Sequence, residues 1–190
     1  LRKFIMNIKK NYIIIGTLES TKVKEKLKQV NWDEWTYRQD TFDVHEKTKS
    51  VPLWFSGDDI GSYIISHEEN CELFAEELIS IKNLFESFYS EEFLYTRALF
   101  ARLENQESIP SHYDGTEIFT ICHRIHWCIE GDYTKLNFLV NNEKLDIGKN
   151  DIFEFNNLKI HEVNYTGNEP RIHMICDFIS KENYNNIWSK

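Results

Sequence analysis

The run His112-Tyr113-Asp114 is followed downstream by His161 and, ten residues later, by Arg171. On a β-strand, residues two apart project from one face, because side chains alternate with a period of two. An imidazole and a carboxylate side by side, joined by a second imidazole, make a two-histidine, one-carboxylate set. Such a set suits Fe(II) with coordination positions left open for oxygen chemistry. Arg171 adds a planar positive fork able to hold a dicarboxylate end-on. The residue types point to an iron oxygenase. Each part has a plain structural alternative: seven histidines among 31 acids generate His-x-Asp by chance, His161 could be a hydrogen-bonded core histidine, and Arg171 could pair with a surface acid. Specificity lies in the combination.

The elements that must position these residues follow from periodicity. Short apolar or alternating runs at 94–103, 119–129, 136–140, 152–155, 160–164 and 171–179 are separated by turn formers such as Gly131-Asp132, Asn141-Asn142, Gly148-Lys149 and Thr166-Gly167-Asn168. Several strands at close spacing, with no helices between them, predict an antiparallel sandwich or barrel. Ahead of them, residues 11–18 read as a strand, 21–30 as a short amphipathic helix, and 45–55 as a strand or extended arm with Pro52 near an edge. Residues 68–87 carry one apolar stripe through Leu73, Phe74, Leu78, Ile81, Leu84, Phe85 and Phe88 and predict one long helix. The expectation is one domain over 1–190, with a helical and extended part (1–92) packed on a β-barrel core (93–180).

Counting by twos puts Arg124, His126 and Cys128 on one strand face and Ile125, Trp127 and Ile129 on the other. It likewise separates Arg171, His173 and Ile175 from Ile172, Met174 and Cys176. Unpaired charge inside an inert core is costly. Two arginines, several histidines and Asp114 pointing into one barrel make sense around a metal and an anionic cosubstrate. Glu154 and Asp177 have no ligand spacing.

Composition narrows the function classes. The net charge of −9 disfavours a general nucleic-acid binder, whose affinity comes from Lys and Arg neutralising phosphates. Four cysteines form no CxxC pair, and no signal sequence or membrane-length apolar run is present, so a soluble cytoplasmic protein with no membrane partner is expected. The chain opens on Leu1, with Met6 a candidate natural start.

The segments IPSHYD (109–114), CHRIH (122–126), FEFNN (153–157), HEVNYTG (161–167) and RIHMICD (171–177) resemble, in order and spacing, the aspartyl/asparaginyl β-hydroxylases, a family of 2-oxoglutarate oxygenases. The likeness is nearest to small bacterial-type members such as the proline hydroxylases. It implies a double-stranded β-helix (a cupin-like jelly roll) with flanking helices. It also implies Fe(II), 2-oxoglutarate and O2 as cofactor and cosubstrates, with His112, Asp114 and His161 as the catalytic iron ligands. Arg171 matches the arginine that takes the distal carboxylate of 2-oxoglutarate. Arg124 and His126 match an Arg-x-His lining the pocket, and His173 falls beside Arg171. His45, Trp54 and Arg102 are candidates to cover or line a substrate pocket, and Asn156-Asn157 to form a structural turn. Animal members that modify protein residues lack the carboxylate ligand, whereas Asp114 is present here. The implied substrate is a small molecule, an amino acid or a peptide residue. The rivals are a cupin-type metalloenzyme that does not use 2-oxoglutarate, a non-catalytic cupin-like binding domain, and a nucleic-acid demethylase.

Overall fold

A computed structural model describes residues 8–188; Met6 and the start of the chain lie outside them. Two antiparallel sheets face each other. The larger runs in the order β1 (Tyr12–Thr17), β9 (Asp151–Phe155), β6 (His123–Glu130), β11 (Arg171–Ser180), β4 (Phe93–Leu103), β2 (Thr48–Ser56) and β3 (Ile64–Ser66). The smaller runs β5 (Ser108–His112), β10 (His161–Tyr165), β7 (Leu136–Val140) and β8 (Glu143–Lys144). The architecture is the expected double-stranded β-helix. Its core divides by strand parity. Ile125, Trp127 and Ile129 of β6 and Ile172, Met174 and Cys176 of β11 turn outward into one cluster, with Val23, Leu27, Phe74, Leu78, Ile81 and Phe85 from the helices. Cys128, Phe153 and Phe155 turn inward against Phe138, Val140, Val163 and Tyr165 of the smaller sheet.

The helices over 21–27, 68–73 and 75–89 cover the outer face of the larger sheet. α1 (Thr21–Leu27) is shorter than expected, and α2 (Tyr37–Thr41) falls in an aromatic stretch whose period assigned nothing. The long helix expected over 68–87 is two helices, α3 (Glu68–Leu73) and α4 (Ala75–Tyr89), broken at Phe74. The break turns the Phe74 ring fully inward, 4.4 Å from Phe100, while Phe88 at the far end stays 46% exposed. The α3 region also finishes the free edge of β2. His67 N–H and Cys71 Sγ donate to Leu53 O, and Asn70 Nδ2 donates to Pro52 O at 2.9 Å. A proline with no N–H is tolerated there, beyond the three residues that pair with β3. Residues 119–122, expected as strand, belong to a turn of 3-10 helix (Glu117–Thr120) and the residues after it. Its Ile118, Phe119 and Ile121 pack with Ile179 and with α5 (Lys181–Trp188), a helix the sequence reading did not foresee. No described helix is long and apolar enough to cross a membrane.

Candidate active site

His112 ends β5 and His161 begins β10, and the two are direct cross-strand partners with ring centroids 4.2 Å apart. Asp114 lies just past the end of β5. Its direction is set by the Asn156-Asn157 turn rather than by strand alternation: Asp114 N–H donates to Asn157 O at 3.0 Å, and the Asn157 side chain bonds its carboxylate. One ligand atom from each of the three lies within 4.8 Å of the others. The backbone chooses the tautomers. His112 Nδ1 meets Pro110 O at 2.7 Å and His161 Nδ1 meets Lys159 O at 2.9 Å. A carbonyl can only accept, so both protons sit on Nδ1 and both Nε2 lone pairs are left for a metal. Burial holds the His161 imidazole neutral, down to about 4, against the opposing pull of Asp114. Burial would raise Asp114, but the Arg124 guanidinium outweighs it and keeps the carboxylate ionised. Two imidazole nitrogens and one carboxylate make a donor set that fits Fe(II).

Behind the triad, a pocket runs into the barrel between the sheets, lined by Thr48, His126, Phe138, Phe155, Val163 and Arg171. Arg171 is 2% exposed, and its Nε and Nη1 have no hydrogen-bond partner. A buried guanidinium with idle donors fits an arriving carboxylate as their acceptor. Gly131 lets the arginine lie there: its φ is +129°, and a Cβ would meet Arg171 Cγ at 3.2 Å and Cα at 3.3 Å. His126 and His173 stand deeper, Nδ1 to Nδ1 at 3.2 Å, with burial driving both well below the usual histidine range. His126 lines the pocket; His173 is fully buried behind it, stacked on Tyr133 with centroids 5.8 Å apart.

The family model for aspartyl/asparaginyl β-hydroxylases matches residues 18–181. This chain belongs to the aspartyl/asparaginyl β-hydroxylase family. The hydroxylase is a 2-oxoglutarate-dependent dioxygenase that uses Fe(II), 2-oxoglutarate and O2. Among solved structures, one that resembles it is a prolyl hydroxylase of Trichoplax adhaerens in complex with a hypoxia inducible factor peptide fragment. That match has a TM-score of 0.61 and 15% identity, over 92% of this chain and 86% of that one. The viral collagen prolyl hydroxylase of Paramecium Bursaria Chlorella virus-1 matches at TM-score 0.55 and 10% identity, over 90% and 97%. A 2OG-Fe(II) oxygenase family protein of Burkholderia pseudomallei matches at 0.58 and 8%, over 83% and 76%. At such identities the likeness establishes the fold. No curated protein matches the sequence.

In this hydroxylase a second cavity, of about 220 Å³, opens in front of the triad and shares Arg38, His45, His112, Asp114, Arg124 and Ile175 with the inner pocket. Arg124 stands between them, its Nε and Nη2 forked on Asp177 at 2.8 Å each and its Nη1 on Asp114. Arg97 donates to Ser56 O, Gly57 O and Asp58 Oδ1. Phe119 lies between the guanidiniums of Arg97 and Arg124, 4.6 and 4.1 Å from its ring. His45 lines both cavities, T-shaped to His112 at 5.8 Å, in keeping with its expected place over the pocket. Trp54 and Arg102 do not. Trp54 pairs in register with Ala98, so it takes the helix side and stacks on Tyr95 at 5.1 Å. Its neighbour Phe55 has the opposite parity and lines the chamber. Arg102 shares parity with Ala98 and Phe100, turns outward, and lies over Trp32 beside Glu104. The sequence reading missed Arg38, Arg97 and Asp58, and treated Asp177 as unassigned; the parity of Arg97 with Leu99 and Ala101 was the available signal for one of them.

Proposed function

We propose that His112, Asp114 and His161 hold Fe(II), that Arg171 binds the distal carboxylate of 2-oxoglutarate, and that the outer chamber presents an unactivated C–H bond of an amino acid or amino-acid residue. The observation that carries this is the buried Arg171 fork with two unpartnered nitrogens, set behind three convergent metal-ligand atoms. Bound together, the iron, 2-oxoglutarate and O2 supply oxidative decarboxylation to succinate and CO2 with transfer of one oxygen atom to the C–H carbon. The chain's own residues do the rest. Pro110 O and Lys159 O fix the ligand tautomers, and Arg124 and Asn157 hold Asp114 ionised and aimed. Phe138, Phe155 and Val163 wall the inner pocket and keep water from it. His126, kept neutral, gives that pocket a polar wall without another charge, and His173 supports it.

The test is to add Fe(II) and then 2-oxoglutarate to metal-free protein without oxygen and record the weak visible charge-transfer band. The band is expected, and is expected to vanish in His161→Ala with the fold intact by circular dichroism. Iron binding with no band would overturn the 2-oxoglutarate assignment in favour of another metal cupin. No iron binding would overturn the triad.

A further inference from the structure

Three guanidiniums face the outer chamber, and two are neutralised where they stand. Arg97 pairs with Asp58 at 2.8 Å, and Arg124 holds both Asp177 and Asp114. Arg38, from α2, has no carboxylate within ion-pair distance among the described residues. Its contacts are Ser50 Oγ, accepting from Nη1 at 3.2 Å, and His45 Nε2, at 2.9 Å from Nη2. A half-buried cation beside two other cations, with no counter-ion of its own, is an expensive arrangement. Burial together with Arg124 and Arg97 pulls its pKa down to about 9, leaving it charged at neutral pH.

The His45 contact fixes a second donor. A guanidinium can only donate, so His45 Nε2 must accept and the ring proton must be on Nδ1. That Nδ1 is buried and has no partner. One wall of the chamber therefore carries a free cation and an idle N–H. The acids nearby, Asp58 and Asp177, are engaged by Arg97 and Arg124. Phe42, Val44, Phe55 and Leu99 give apolar walls, and Tyr113 and Thr116 add uncharged polar groups. At about 220 Å³ the chamber falls below the roughly 300–1,000 Å³ of drug-sized sites.

We propose that Arg38, assisted by His45, anchors a carboxylate of the primary substrate, so that this hydroxylase takes a small free carboxylic acid of amino-acid size rather than a residue inside a peptide. The inference rests on the function proposed above. The test compares single free L-amino acids with their α-carboxamides on protein loaded with Fe(II) and 2-oxoglutarate without oxygen. Binding is read as a shift in Tm, and turnover as succinate released when oxygen is admitted. At least one acid is expected to bind, with its amide about 10²-fold weaker, the scale of losing one partner of a buried charged contact. Arg38→Gln is expected to lower acid affinity about 10²-fold, to the level of the amide, while the charge-transfer band remains. Arg38→Lys keeps the charge and should retain a preference for the acid, which covers the case of a Gln variant that does not fold.

An acid-to-amide ratio that survives in Arg38→Gln would overturn the anchor, as would acids and amides binding alike in the wild type, or a loss of 2-oxoglutarate binding instead. A band without any preferred acid sinks the anchor and leaves the iron assignment standing. Acid selectivity through Arg38 without a band does the reverse.

Discussion

Replacing Arg171 with Met should stabilise the cosubstrate-free protein and abolish cosubstrate binding in one step. The arginine is 2% exposed, with Nε and Nη1 unpartnered, so the free protein holds a charge whose desolvation is not offset. Methionine fills a similar length with apolar atoms. Exchanges of buried charge for apolar volume have stabilised proteins by about 1–4 kcal/mol. At this chain length each kcal/mol raises Tm by about 2–4 °C. The cost appears only with 2-oxoglutarate: deleting one partner of a buried charged contact loses about 2–5 kcal/mol, or roughly 30-fold to several-thousand-fold in Kd. Wild type at a 2-oxoglutarate concentration 100 times Kd should gain about 2.7 kcal/mol of stability, and the variant almost none. The assay is thermal unfolding of Fe(II)-loaded protein without oxygen, with and without 2-oxoglutarate. A variant less stable than wild type in the absence of 2-oxoglutarate, or one stabilised by it as much as wild type, would refute the argument.

Gly131→Ala should raise the Kd for 2-oxoglutarate and cost about 1–3 kcal/mol of stability, because φ is +129° and the new Cβ meets Arg171 at 3.2–3.3 Å; unchanged binding in a 2-oxoglutarate titration would count against the packing described. Phe85→Ala should cost about 3–5 kcal/mol in urea unfolding, since its buried ring stacks on Phe178 at 4.8 Å and meets Phe93 at 4.6 Å. A cost below about 1 kcal/mol would mean that the helix layer repacks. Metal-free protein should weaken as pH falls. Burial depresses His126, His161 and His173 in the folded state, so the unfolded chain takes up their protons first, below about 6.5. Their stabilising effect is whole above that pH and is lost through the folded value, about 4 for His161. The slope is at most about 1.4 kcal/mol per pH unit for each group, and a urea midpoint unchanged between pH 7.5 and 5 would refute it.

The candidate metal-ligand set was legible because type and order sufficed: two histidines, an aspartate and a later arginine. Counting strand parity separated Arg124 and His126 from Ile125 and Trp127. It would also have excluded Arg102, which shares parity with Phe100, but not Trp54, which a bulge between Pro52 and Trp54 turns to the face opposite Thr48 and Ser50. Two features were not legible. Asp114 is aimed by Asn157, 43 residues downstream, through backbone contacts that leave no periodic trace. The break at Phe74 interrupts a continuous apolar stripe because the ring finds Phe100 across the sheet, a tertiary contact that helical spacing cannot announce. Arg38 sits in a stretch with no clear period, and its meaning comes from what it lacks, a counter-ion, which only three dimensions reveal.

The order of strands in the larger sheet has a consequence for synthesis. β11 lies between β6 and β4, so the middle of this sheet is the last strand to be made. Until residue 180 has left the ribosome, β4 and β6 each wait with an unpaired edge, and the β1–β9–β6 and β4–β2–β3 halves cannot join. Translation at about 5–20 residues per second leaves those edges open for seconds. Open β edges invite pairing with other chains, so shielding of the nascent chain matters most over 93–130 until β11 is available.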